Sequence, residues 1–166
     1  MIFITNNSLQ EVLTMYQNIL VPLDGSDNAY MALEHAVQLA QTFKSKLYLV
    51  NVIDITRLNA YSPAAYGGTL YTNLLQVAKD NSRDILRRGQ RMAAEADVES
   101  LPIQVNSSPK ASIATEIPKK YEIDLIVMGK SGTNAVSRIF LGSTTSYVVQ
   151  KAAVNVTVIN MPDDAT

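Results

Sequence analysis

Apolar residues follow two rhythms along this chain. Short, nearly continuous runs stop at turn residues, and between them lie stretches where apolar side chains recur every three or four positions. Residues 17–23 (QNILVPL) form the first run and stop at Asp24-Gly25-Ser26-Asp27, a dense turn signal that predicts a buried strand. Ala29, Ala32, Leu33, Ala36, Val37, Ala40 and Phe43 then recur on one face, predicting a helix over about 28–42 capped by Ser26 or Asp27. Residues 46–53 (KLYLVNVI) are again almost wholly apolar, as expected of a strand covered on both faces. Strand, helix and strand in this order predict a right-handed parallel crossover.

From 54 to 68 the chain turns small and polar, with Pro63 and the pair Gly67-Gly68, which predicts a long loop. Leu74, Leu75, Ala78, Ile85, Leu86, Met92 and Ala93 then lie among charged residues, predicting a long amphipathic helix over 70–96. Residues 101–105 read as a third strand. A third helix follows over 111–121, where Pro118 removes a hydrogen bond and is expected to kink the helix or end it early. Residues 123–128 form the fourth strand, a helical pattern follows Gly142, and residues 154–159 form the fifth strand before an acidic tail. The alternation predicts an α/β fold, an open doubly wound, Rossmann-like sheet of five mainly parallel strands flanked by helices. Residues 17–160 make one domain and 161–166 a tail. Residues 1–16 read as an extension, or as the product of an upstream start, because Met15 stands just before the first strand.

Composition narrows the function classes. Fourteen basic against fifteen acidic residues leave no field to draw in nucleic acid or an anionic membrane, so neither is an expected partner. No apolar run has the length of a membrane span, and the first sixteen residues lack a basic start and a small-residue cleavage site. With no cysteine there is no thiol chemistry, and the expected location is the cytoplasm.

The chemistry concentrates between residues 125 and 149. An apolar run ends in Gly129-Lys130-Ser131-Gly132, and after a loop over 133–141 the motif Gly142-Ser143-Thr144 opens a helix. Two turns that expose backbone N–H groups, one at the positive end of a helix dipole, make a phosphate cradle. Lys130 and Arg138 are the nearby cations. Gly129-Lys130-Ser131 mimics the end of a P-loop, but that motif needs glycine where Asp124 stands, and G-x-G-x-x-G is absent. In open parallel sheets ligands bind beyond the carboxyl ends of the strands near the reversal of strand order. The loops after strands one, two and four are therefore expected to converge. His35 lies within the first helix and reads as a surface or boundary residue. Neither Ser131 nor Ser143 has an activating base in the motif, and no cluster has metal-ligand spacing, so any metal would enter with the phosphates.

Gly129, Gly132, Gly142 and Ser143 reproduce, without a gap, the G-x2-G-x9-G-[ST] pattern of the universal stress protein family in its nucleotide-binding branch. Asp24-Gly25-Ser26, VNVID at 50–54 and DLIVMG at 124–129 extend the resemblance, which covers residues 17 to about 160. It implies an adenine nucleotide alpha hydrolase-like fold. It also implies that Asp24 and the main chain of Val52 hold an adenine in a pocket lined by Pro22 and Leu23. Gly129 and Gly132, with Met128 in the same set, would follow ribose and phosphates, and Gly142, Ser143 and Thr144 would hold the phosphates, aided by Lys130 and Arg138. The implied ligand is ATP, or AMP or another adenine nucleotide, with Mg²⁺ or Mn²⁺. The implied assembly is a homodimer through residues 154–159, where Val154, Val156 and Val158 alternate. Two positions depart from the family: Ser107 stands ahead of Ser108-Pro109 where a glycine is usual, and Pro118 falls where a helix normally continues. Three functions remain open: an ATP-binding stress-response regulator, a slow ATPase or phosphotransfer enzyme, and a dimeric interaction module that makes no use of nucleotide.

Overall fold

The computed structural model describes residues 15–58, 68–130 and 141–160. Its strands are β1 (Asn18–Pro22), β2 (Lys46–Asp54), β3 (Ser100–Ser107), β4 (Leu125–Gly129) and β5 (Asn155–Ile159). The helices are α1 (Asp27–Phe43), a single turn α2 (Ile55–Leu58), α3 (Gly68–Glu95), α4 (109–120) and α5 (Ser143–Lys151). All strand pairs are parallel, in the order β3-β2-β1-β4-β5. The chain builds outward from β1 through β2 to β3, then returns to add β4 and β5 on the other side. The order reverses between β1 and β4, so those two strand ends flank the crevice where such sheets take ligands.

Side-chain alternation divides the core into two layers. Ile19, Val21, Leu47, Leu49, Leu125 and Val127 face α1 and α3, while Leu20, Val50, Ile126 and Met128 face α4 and α5. A sheet buried on both faces explains why β1, β2 and β4 read as unbroken apolar runs. At β5 the sheet ends, and residues 156–159 are only half-buried.

Two elements differ from the sequence reading. The turn α2 interrupts the expected loop after β2, whose remaining residues 59–67 lie outside the described residues. Pro118 does not stop α4. That helix starts at Pro109–Ala111, passes through a π turn over Ser112–Glu116 and finishes in Ile117–Lys120. The Ile117 N–H donates to the Ser112 carbonyl, five residues back, so the chain is already rewound where proline has nothing to donate. The buried Ser112 hydroxyl donates to Glu116, 2.8 Å away, inside the same turn.

Asp124, the residue that rules out a P-loop, has a structural task at the opposite edge of the sheet. Its carboxylate accepts the N–H groups of Gln17 at 2.7 Å and Asn18 at 3.2 Å, and its own N–H donates to the Asn18 carbonyl at 3.1 Å. The starts of β1 and β4 are thereby fastened together, which brings their far ends side by side at the crevice.

Candidate functional site

The first wall of the crevice is the turn after β1. Leu23 donates its N–H to Val50 at 2.8 Å and accepts the buried Asn51 amide at 2.6 Å, and its side chain packs into the core against Gly89. Leu23 thus spends both backbone groups and its side chain on the fold. Asp24 follows and is exposed. Its Oδ1 accepts the Ser26 N–H at 3.0 Å and the Ser26 hydroxyl at 2.6 Å across Gly25, whose φ of +88° is a conformation that favours glycine. Ser26 in turn caps α1 by accepting the Ala29 N–H at 3.2 Å. One carboxylate therefore sets the shape of the turn and the entry of the helix at the carboxyl end of β1.

The second wall is the end of β2, where Val52 is half-buried on the α4 side of the sheet. Asp54, two residues on, repeats the device seen at Asp24: its Oδ1 accepts the Thr56 N–H at 3.0 Å as well as the Thr56 hydroxyl.

The third wall joins β4 to α5. The Lys130 N–H continues the sheet to the Ile159 carbonyl at 2.8 Å, and the Lys130 carbonyl accepts the Gly142 N–H at 2.9 Å. Lys130 and Gly142 are thereby held together. Gly132, Arg138 and Ser131 belong to the segment between them and lie outside the described residues. Thr145 is buried and donates its hydroxyl to the Gly129 carbonyl at 3.1 Å, pinning the first turn of α5 onto β4. Helix geometry leaves the Ser143 and Thr144 N–H groups at the start of α5 without intrahelical acceptors, so donors and a positive dipole end lie at the carboxyl end of β4.

The two described glycines of the motif have different physical causes. A Cβ on Gly129 would stand 2.8 Å from the Asn28 carbonyl oxygen, so the start of α1 approaches β4 too closely for any side chain. Gly142, with φ −58° and ψ 153°, has backbone angles open to any residue. Glycine at 129 is accounted for by packing, whereas the backbone at 142 makes no such demand.

Behind the first wall, Tyr30 fastens α1 to α3. Its ring is buried beneath the Arg88 guanidinium, whose central carbon lies 3.7 Å from the ring centroid, and its hydroxyl lies 3.4 Å from the Ile85 carbonyl. Burial raises the phenol pKa above its ordinary value, against the opposing pull of Arg88. Because the folded form holds this proton more tightly, the resulting stabilisation is complete below the unfolded pKa of about 10 and is lost as pH rises through the folded value. In an absorbance titration of the eight tyrosines, one phenol is expected to ionise after the exposed ones, and Tyr30→Phe should remove that late step.

Several supporting residues escaped the sequence reading. Asn51 stood out only as a polar residue in an apolar strand, and Thr145 only as a hydroxyl three residues past Gly142. Lys110 is a further cation that no motif marks: its ammonium lies 5.9 Å from the centroid of the Tyr147 ring, on the helix that follows Gly142. His35 is exposed on α1, as expected.

Comparison with known proteins agrees with this architecture. The family model described as "Universal stress protein family" matches residues 15–160. A universal stress protein of Methanocaldococcus jannaschii is 31% identical over 160 residues, covering 96% of this chain and 91% of that protein. The structure of the universal stress protein UspA from Lactobacillus plantarum is 36% identical, covers 87% of this chain and 97% of its own, and superposes with a TM-score of 0.73. A universal stress protein from Archaeoglobus fulgidus, solved in complex with dAMP, shares the fold at a TM-score of 0.63 and 19% identity, covering 87% of this chain and 98% of its own. A five-stranded parallel sheet reversing at β1 and β4, a Gly142-Ser143 helix start beside that reversal, and a family match over nearly the whole described chain lead to one assignment: this chain belongs to the universal stress protein family.

Proposed function

We propose that the protein is an adenine-nucleotide-binding regulator that holds ATP across the carboxyl ends of β1, β2 and β4. The observation that carries this reading is the start of α5 at Gly142: a bare backbone position with ordinary angles, placed by its N–H to Lys130 at the strand-order reversal. Glycine there keeps the start of the helix clear of a Cβ that a bound phosphate would meet. The dAMP complex of the Archaeoglobus fulgidus relative supports an adenine nucleotide as ligand.

In this reading the exposed end of Asp24 and the backbone of Val52 recognise the adenine, with Pro22 at its edge. Leu23 and Met128, both buried, hold the floor from below. Gly129 and Lys130, and Gly132 and Arg138 from the intervening segment, run beside ribose and phosphates. The N–H groups and hydroxyls of Ser143 and Thr144 receive the phosphates, Gly142 leaves them room by carrying no side chain, and Mg²⁺ or Mn²⁺ accompanies the phosphates on their oxygens. Nucleotide occupancy then acts through a homodimer formed along residues 154–159, where β5 leaves one sheet edge half-covered.

Equilibrium binding of ATP, AMP and cyclic nucleotides to the purified chain tests the central claim, and saturable ATP binding is the expected result. Absence of saturable binding by any adenine nucleotide refutes it. In the same preparation, ADP release no faster than from a Gly142→Glu variant is the expected outcome for a holding site; a faster release assigns the protein to the ATPases. For the assembly, sedimentation at micromolar concentration should give twice the chain mass, and a purely monomeric boundary would reject the dimer.

A further inference from the structure

We propose that Lys110 is a phosphate-recognition residue that makes this site prefer nucleotide polyphosphates over nucleosides. The proposal rests on the nucleotide reading above and extends it to a cation from a different wall. Lys110 is the second residue of α4, is exposed, and stands 5.9 Å from the centroid of the Tyr147 ring. Tyr147 follows Ser143 by four residues, so the two share one face of α5, a single turn apart. The ring that the ammonium approaches thus belongs to the residue one helical turn beyond Ser143, and a four-carbon stem lets the charge move along that face.

Its surroundings leave it available. Lys46, Arg83 and Arg87 are each paired with a carboxylate, whereas among the described residues Lys110 has no acidic partner. A cation 5.9 Å from the centroid of a half-buried ring is weakly held compared with one bonded to phosphate. Arg88, 3.7 Å from the buried Tyr30 ring, is seated much more closely. Lys110 also occupies the first turn of its helix, the end where the dipole disfavours positive charge. An anion bound between the starts of α4 and α5 would offset that penalty. The lysine–tyrosine pairs Lys46–Tyr48 and Lys120–Tyr121 lie at the opposite edge of the sheet, where they cannot substitute.

Calorimetric titration of the full chain with ATP, ADP, AMP and adenosine, for the wild type, Lys110→Met and Lys110→Arg, is the test. Methionine keeps an apolar stem over Tyr147 and removes only the charge. Lys110→Met is expected to bind ATP about tenfold more weakly, with adenosine unchanged and a shallower dependence of ATP affinity on salt. Lys110→Arg should recover most of the loss. Unchanged ATP affinity in Lys110→Met, or an equal loss for ATP and adenosine, would overturn the role of Lys110 while leaving the nucleotide site in place. Failure of the wild type to bind any of the four probes would overturn both.

Discussion

Replacing Gly142 with glutamate is expected to lower ATP affinity by at least a hundredfold while leaving the melting temperature within a few degrees of the wild type. The two halves of that expectation come from different features of the same residue. Gly142 has φ −58° and ψ 153°, angles that glutamate adopts without strain, and it stands outside the first helical turn as the cap of α5. An acidic side chain at the start of a helix is electrostatically favourable to the fold, which offsets the small loss of capping quality. The ligand meets the reverse situation. A carboxylate tethered there reaches the N–H groups that would receive phosphate, and it presents negative charge to negative charge. At roughly 4 Å and an effective dielectric near 20, that repulsion is about 4 kcal/mol, or close to three decades in affinity. Differential scanning fluorimetry with and without ATP reads both halves at once: an unaltered melting curve that no longer rises with nucleotide. A variant that melts far below the wild type would mean that 142 is a packing position, and one that still binds ATP with wild-type affinity would place the phosphates elsewhere.

Gly142 also illustrates how far a sequence can be read. The five strands and the long helices were legible because β1, β2 and β4 are buried on both faces, which forces continuous apolar runs, while α1 and α3 bury one face each. The site was legible as a spacing of glycines and hydroxyls, but the reason for each glycine was not. Gly129 looks in the sequence like backbone bared for a ligand; in the fold it is backbone bared for Asn28. Leu23 looks like a pocket lining, and the fold adds a core task against Gly89 that the sequence does not show. Pro118 looks like a kink or an early end; the fold ends the helix no earlier than Lys120 and places a π turn just before the proline, an accommodation that no local propensity announces. Lys110 and Tyr147 lie 37 positions apart, and nothing in periodicity pairs two residues on helices whose contact is decided by the sheet beneath them. In each case the missing information is tertiary: which backbone passes close to which.

The contrast between the two glycines yields a second large effect, on stability this time. Gly129→Ala is expected to lower the melting temperature by several degrees even with no nucleotide present. A methyl group at 129 would sit 2.8 Å from the Asn28 carbonyl oxygen, 2.9 Å from its carbonyl carbon and 3.0 Å from its Cβ. The obstructing atoms are mainly main chain in the first turn of α1, so no side-chain rotation relieves the contact and the helix start must move. Overpacking of this kind costs about 1–3 kcal/mol, which for a chain of this size is a shift of about 2–4 °C per kcal/mol. The displacement would also be felt at the ligand end, because Ser26 caps the same helix and its hydroxyl and N–H are held by Asp24. Moving α1 would therefore pull on the Asp24 turn proposed to hold the adenine, and Gly129→Ala should weaken adenosine and ATP binding by similar factors. Gly142→Glu should instead affect ATP far more than adenosine. Thermal melts of Gly129→Ala without ligand, paired with adenosine and ATP titrations of both variants, separate the two causes. If Gly129→Ala melts like the wild type yet loses ATP selectively, glycine at 129 serves the phosphates and the packing explanation falls.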